Sequence, residues 1–146
     1  MPHDDLAIEA FPEPEFLEGA APTPSERSLA LVAHLGGVFT SIVIPAYLYM
    51  TQRDKSEFVV RHAREALNHQ ISICFEAFLL YALAGGVFAL LYSGGMAWTW
   101  SLIATSLVTL AVTLLVLAFE IYLAIRACQE ALKGRDYRYP LTIRLI

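Results

Sequence analysis

Charged residues are scarce in this chain. Asp, Glu, Lys and Arg make up 16% of its 146 residues, whereas they make up about 25% of a typical soluble domain. Hydrophobic residues reach 57%, and the mean hydropathy is +0.54. This composition argues against both a water-soluble enzyme and a disordered chain. The length favours a single compact unit.

Cysteine and clustered basic residues are also scarce. The two cysteines, Cys74 and Cys128, lie in or beside apolar stretches, which argues against a structural disulfide or zinc site. Dense Lys/Arg clusters of the kind that bind nucleic acid are absent from the sequence. So are a phosphate-binding loop, a nucleophile elbow and a paired-histidine zinc helix. We therefore expect no catalytic residues, no cofactor and no metal, with an intramembrane enzyme as an alternative.

Long apolar runs, in contrast, dominate the chain. Residues 29–50, 71–92 and 97–125 make up half of it and contain only two charged residues, Glu76 and Glu120. A helix of 22 residues is about 33 Å long, enough to cross a hydrocarbon core of about 30 Å. The sequence predicts an all-α integral membrane protein with three transmembrane helices and a cytosolic amphipathic helix beside the membrane.

Two regions follow from the composition. Residues 1–22 are acidic and proline-rich and are predicted to be a disordered tail. Residues 23–146 are predicted to form the membrane domain. The domain begins at a capping box, in which Thr23 and Glu26 would satisfy each other's backbone amides at the start of a helix.

The basic residues predict an orientation. Segment 51–70 and the segment after residue 125 together hold nine of the ten Lys and Arg residues, and the turn at 93–96 holds none. Short loops rich in Lys and Arg remain in the cytoplasm. With three spans, the C-terminus would be cytoplasmic and the acidic N-terminal tail outside, in a bacterial inner membrane.

A polar stripe precedes the second apolar run and continues into it. At 100° per residue, one side of this helix carries the following residues: Arg61, His62, Arg64, Glu65, Asn68, His69, Ser72 and Glu76. Helix 57–70 either lies along the membrane surface or continues the second span. Its polar residues are a candidate surface for a partner, with a solvated face as the simpler reading. His62, Glu65 and His69 have metal-ligand spacing, but nothing else in the chain completes such a site.

Polar groups inside the apolar runs require partners. An antiparallel hairpin about residue 95 places Glu76 near Thr113 and Glu120 near His69 or Gln70. We predict that Glu120 pairs with His69 or Asn68. Glu76 is predicted either to bond to hydroxyls or to be protonated. The hydroxyls form a ladder with a spacing of four: Ser101, Thr105, Thr109 and Thr113. His34 is predicted to form an interhelical hydrogen bond, and Ser72 belongs to the same intramembrane polar set. These groups either join the helices or line a proton or ion path.

Three segments carry a family resemblance. The first is Ser25-Glu26-Arg27 leading into Leu31–Gly37. The second runs from Ile44-Pro45 through Asp54–Val59 to His62–Ser72. The third joins Ala131–Gly134 to Tyr137–Ile143. Together they resemble the Tic-twenty-like family of small bacterial membrane proteins, a domain of unknown function named after a subunit of a plastid protein-import channel.

The resemblance covers roughly residues 25–146 and implies a multi-spanning membrane protein without an assigned activity, so it supplies no catalytic residues. The positions that match its motifs are His62, Glu65, Asn68, Gly134, Tyr139 and Pro140. Tyr137 belongs to the same C-terminal motif.

The sequence favours a non-enzymatic accessory or scaffold protein. Helix 57–70 and the segment Tyr137–Ile146 would dock a partner, either another membrane protein or a second copy, and the bilayer would be the other partner. The alternative is a subunit of a transporter or protein-translocation channel, with Glu76 and Glu120 lining a polar path.

Overall fold

The computed structural model describes residues 21–146, so the predicted disordered tail lies almost wholly outside the described residues. Within them the protein is helical and has no strands. Its four helices are α1 (Pro24–Thr40), α2 (Val43–Thr51), α3 (Glu57–Ser93) and α4 (Trp98–Leu132). An extended tail from residue 133 to residue 146 follows α4.

The predicted capping box opens α1. The Thr23 amide donates to Glu26 Oε2 at 2.7 Å, and the Glu26 amide donates to Thr23 Oγ1 at 3.3 Å. Ser56, which caps α3, donates its hydroxyl to Glu26 Oε1 at 2.6 Å. This hydrogen bond is the main cause that lowers the pKa of Glu26. The first turns of α1 and α3 are therefore held side by side.

The first apolar run is a helical hairpin. The chain reverses at Ser41, whose φ is 54°, and α2 returns alongside α1. Ile44 packs so closely on Gly36 that any side chain there would collide with it. Pro45 stays within the first turn of α2, where a missing N–H costs little. The Ile44 amide is satisfied by Thr40 Oγ1 at 3.2 Å.

The prediction of one transmembrane helix over 29–50 is therefore not confirmed. The two helices have 17 and 9 residues, or about 25 and 13 Å, and neither alone crosses a bilayer. The apolar run was long enough for a span, but composition does not reveal a reversal within it. Among the described residues, only α3 and α4 are long and apolar enough to cross a membrane.

Helix α3 settles whether segment 57–70 lies flat or continues the second span. It runs unbroken for 37 residues, and α4 returns antiparallel to it for 35. We call residues 73–93 and 98–120 the stem, in which apolar side chains face outward. Residues 22–72 and 121–146 form the head. Within the head, α1 packs closely on α3 and α4 through buried alanines: Ala30, Ala33, Ala63, Ala66, Ala127 and Ala131.

Both ends of the described chain lie at the head. Arg27 donates to the Leu132 carbonyl at 3.3 Å, and a Cβ added to Gly134 would lie 2.9 Å from Pro22 Cγ. Within the described residues, the two ends of the chain therefore lie at the same end of the molecule, and their orientation in a membrane stays a prediction. The two ends lie together because the α1–α2 hairpin returns to the side from which it starts.

This arrangement predicts a labelling pattern for single cysteines introduced into a variant in which Cys74 and Cys128 are alanine. Ser25→Cys and Arg135→Cys should react with a membrane-impermeant maleimide from the same side of the membrane. Ser93→Cys, at the far end of the stem, should react only from the other side. Labelling of Ser25→Cys and Ser93→Cys from one side would contradict the fold.

Candidate functional site

Most of the polar stripe of α3 is buried under the C-terminal tail. His62 and Asn68 are each 1% exposed, and Glu65, His69 and Ser72 are also buried. Helix α3 is amphipathic as predicted, but this polar face points into the head. Most of the stripe residues are therefore occupied by contacts within this chain, whereas Arg64 and Glu76 are exposed.

Three side chains, one helical turn apart, hold the backbone of the tail. Glu65 Oε1 accepts from the Tyr139 amide at 2.9 Å. Asn68 Oδ1 accepts from the Leu145 and Ile146 amides at 3.0 and 3.1 Å, and its Nδ2 donates to the Ile146 carbonyl at 3.2 Å. Ser72 Oγ accepts from the Ile143 amide at 2.9 Å. These bonds replace those that an extended segment would otherwise make in a sheet.

A charged pair strengthens the same contact. Arg144 Nη2 lies 3.1 Å from Glu65 Oε1, the oxygen that also accepts from the tail backbone. At the other end of the tail, Arg61 bonds to Asp136 at 3.1 Å and to Glu57 at 2.8 Å. The tail is thus held to α3 along most of its length.

Two histidines and a tyrosine form a buried chain of hydrogen bonds. Tyr139 Oη lies 3.1 Å from His34 Nδ1, and His34 Nε2 lies 2.8 Å from His62 Nδ1. Burial raises the pKa of Tyr139, so its hydroxyl stays protonated. A hydrogen bond between two imidazoles requires one of them to accept, so at least one ring is neutral. The predicted interhelical hydrogen bond of His34 is confirmed.

His69 connects the tail, α3 and α4. Its Nε2 lies 2.8 Å from Glu120 Oε2, which confirms the predicted pairing of Glu120. Its Nδ1 lies 3.1 Å from Thr142 Oγ1. The ring also stacks on Tyr139 at 3.7 Å between centroids. Glu120, which the sequence analysis placed within an apolar run, therefore pairs with a histidine at the end of the head that adjoins the stem.

Glu76 is at the predicted depth but lacks the predicted hydrogen bond. It lines an apolar groove of about 260 Å³ between α3 and α4, together with Thr113 and Glu120. The hydroxyls of Thr109 and Thr113 donate to backbone carbonyls of their own helix, each at 2.8 Å. Because the helix satisfies these hydroxyls locally, the bond from Glu76 to the ladder is not formed. Protonation of Glu76 stays a prediction.

The C-terminal motif shapes the start of the tail. Gly134 follows α4 with a φ of 74°, a conformation that favours glycine and ends helices. Tyr137 meets Tyr139 edge to face, with 5.1 Å between centroids. Pro140 is exposed at the next bend, and its carbonyl lies 3.5 Å from Thr142 Oγ1.

The metal-ligand spacing on α3 does not produce a cluster. His62, Glu65 and His69 face different partners, and no three His, Cys, Asp or Glu residues in the range 21–146 are placed to hold a metal ion. Sequence reasoning missed that Arg138 and Arg144 of the tail lie around one cavity with Arg64 of the stripe. The alternation of the tail indicated an extended segment but did not identify its partner.

A protein-family model matches residues 25–146, and its description is the magnetosome magnetite crystal formation protein family. The chain belongs to this family, MamF/MmsF. The match covers the head and the stem together and leaves only the acidic N-terminal segment outside. No curated protein and no solved structure matches the chain significantly.

The family match corrects the Tic-twenty-like resemblance, which was wrong. The resemblance rested on short motifs within the same 25–146 segment. In this MamF/MmsF protein those motif positions serve the packing of the head. Glu65 and Asn68 accept hydrogen bonds from the backbone of the tail, and His62 bonds to His34. Because these motif residues hold the tail against a helix, their presence indicates a way of packing. It does not indicate a subunit of a plastid-type import channel.

The hydrogen bonds of Asn68 predict a local effect of its removal. In Asn68→Ala, the Leu145 and Ile146 amides lose their acceptor, so their hydrogen exchange should accelerate by about fivefold, given that a net hydrogen bond contributes about 1 kcal/mol. Gln129→Ala, an exposed change on α4, is the control. Unchanged protection at both amides in Asn68→Ala would contradict the docking of the tail.

Loss of the Tyr139 hydroxyl should affect the whole head. Tyr139→Phe keeps the stacking on His69 but leaves buried His34 Nδ1 without its partner, at a cost of about 1–3 kcal/mol. Thermal unfolding in detergent should show a lower midpoint than for the wild type. Tyr47→Phe, at an exposed position on α2, should leave the midpoint unchanged. An equal midpoint for both variants would argue against the buried chain.

Proposed function

We propose that this protein is a non-enzymatic scaffold of the magnetosome membrane that takes part in magnetite crystal formation. The observation that carries the proposal is the family match over residues 25–146. The two membrane-length helices α3 and α4 support a location in the membrane. The internal engagement of the stripe favours a structural role, because its polar groups hold the head together.

We place the head on the cytoplasmic side. Four basic residues of segment 51–70 and five after residue 125 lie at the head, and the far turn Ser93–Ala97 has no charged residue. The positive-inside rule therefore favours a cytoplasmic head and a far turn on the opposite side of the membrane. This orientation retains the cytoplasmic C-terminus predicted from the sequence and moves the N-terminus to the same side.

The outer surface of the α1–α2 hairpin suits contact with lipid. Phe39, Val43, Tyr47 and Met50 are 60–82% exposed and form an apolar surface on one side of the head. A hairpin that enters one leaflet beside two spanning helices would hold the head against the membrane. The protein would then act on the crystal through the membrane and its other components, because the far turn offers no carboxylate to a mineral surface.

The test is complementation in a magnetite-forming bacterium that lacks this chain. The wild-type gene should restore the crystal size distribution measured by electron microscopy. Phe39→Glu with Val43→Glu should reduce the restoration, because two charges on the lipid-facing surface oppose insertion of the hairpin. Ser25→Glu with Ser28→Glu adds the same charge at exposed positions of the first turn and is the control. Normal crystals without the chain would contradict the proposal.

A transport function is the second candidate, because Glu76 and Glu120 line one groove between α3 and α4. It predicts proton or iron(II) flux into liposomes that contain the purified protein, and loss of that flux in Glu76→Gln. A scaffold predicts no flux above that of empty liposomes. Flux abolished by Glu76→Gln would replace the scaffold proposal with this one.

A further inference from the structure

A basic cavity opens on the head beside the docked tail. It has a volume of about 180 Å³ and lies between α3 and the tail. Four arginines contribute to its lining, against the two carboxylates Glu65 and Asp136. The arginines are Arg61, Arg64, Arg138 and Arg144.

The carboxylates leave two of these arginines unneutralised. Arg144 bonds to Glu65, and Arg61 bonds to Asp136 and Glu57. Arg64 and Arg138 are exposed, and neither makes an ion pair or side-chain hydrogen bond with another residue in the range 21–146. Two guanidinium groups on one cavity, with donors still available, favour an anion that can accept several hydrogen bonds.

His62, one of the residues that line the cavity, has a buried nitrogen without a well-formed hydrogen bond. His62 is 1% exposed, and its Nε2 makes no hydrogen bond of good geometry with the described residues, although the Arg135 backbone lies near enough to favour a proton on the ring. Its other nitrogen belongs to the chain that runs from Tyr139 through His34. The proton positions in that chain determine whether Nε2 is a donor or an acceptor.

Hydrogen-bond satisfaction favours a donor. If the Tyr139 hydroxyl donates to His34 Nδ1, then His34 Nε2–H donates to His62 Nδ1 and His62 Nε2 carries a proton. The opposite direction leaves two buried groups unsatisfied, the Tyr139 O–H and the lone pair of His62 Nε2. The first arrangement leaves only the His62 N–H without a partner, so it costs less.

We infer that this cavity binds a phosphate-bearing anion, with Arg64 and Arg138 as its main charged contacts and His62 Nε2–H as a buried donor. A tetrahedral phosphate suits two guanidinium forks and a further N–H. Asn68 lies about 7 Å along α3 from the start of the stem at residue 73, so the cavity is within reach of lipid headgroups. The phosphate source is therefore either a phospholipid headgroup or a free phosphate compound. This site is independent of the proposed role in crystal formation.

The test uses the full-length protein, delipidated in an uncharged detergent and in phosphate-free buffer. Inorganic phosphate is titrated by calorimetry, and phosphatidylglycerol binding is measured by native mass spectrometry with phosphatidylcholine as the reference. Saturable phosphate binding supports a free-phosphate site. Preference for phosphatidylglycerol without phosphate binding supports a lipid site. Absence of both overturns the inference.

Matched variants assign the binding to this cavity. Arg64→Gln with Arg138→Gln should weaken binding at least about tenfold, since charge-assisted hydrogen bonds are about twice as strong as neutral ones. Arg53→Gln with Arg126→Gln removes the same charge at positions outside the cavity and should change binding little. Equal weakening in both double variants would show diffuse attraction and overturn the site.

A spectroscopic signal tests the role of His62 without a substitution in the packed core. Binding of phosphate or phosphatidylglycerol should shift the ¹⁵N–¹H resonance of His62 Nε2, because that N–H gains an acceptor. The resonance should not move in the Arg64→Gln, Arg138→Gln double variant. A resonance that stays fixed while the wild type binds would remove His62 from the site.

Discussion

The docking of the tail on α3 is the contact on which the head depends. An extended segment has backbone amides that must find acceptors when it is buried, and here Glu65, Asn68 and Ser72 supply them. The same contact covers the polar side chains of α3 at the point where that helix approaches the membrane. The tail and the stripe therefore satisfy each other, and neither would be stable in an apolar environment alone.

The head also explains how a chain with few charges keeps so many buried polar groups. His34, His62 and Tyr139 share one chain of hydrogen bonds, and His69 joins Glu120 to the tail. Small residues on α1, α3 and α4 allow the helices to approach closely enough for these contacts. Polar groups concentrate at the head, and the stem is left almost wholly apolar.

This division suits the membrane-associated role of the MamF/MmsF family. The stem supplies two helices of membrane length, while the head brings both ends of the described chain and nearly all of its charge to one side. Such an arrangement places a short neutral turn at one end of the stem and a charged body at the other. The proposed scaffold role and the inferred phosphate site both belong to that charged body.

The sequence by itself determined the helical membrane class, the capping box of α1, the long polar start of α3 and the pairing of Glu120 with either His69 or Asn68. The first three features depend on composition and helical periodicity, which are local properties of the sequence. The pairing of Glu120 depends on one turn, because an antiparallel hairpin about residue 95 brings residues of equal depth together. Only the tertiary structure decided that residues 29–50 reverse at Ser41, and that most of the stripe meets the chain's own tail. Both outcomes depend on contacts between segments far apart in the chain, Gly36 with Ile44 across a reversal and Asn68 with Ile146 across 78 positions. Hydropathy cannot reveal them, because an apolar run is equally long whether it is straight or folded back, and a polar face has the same spacing whether it meets water or the chain's own backbone.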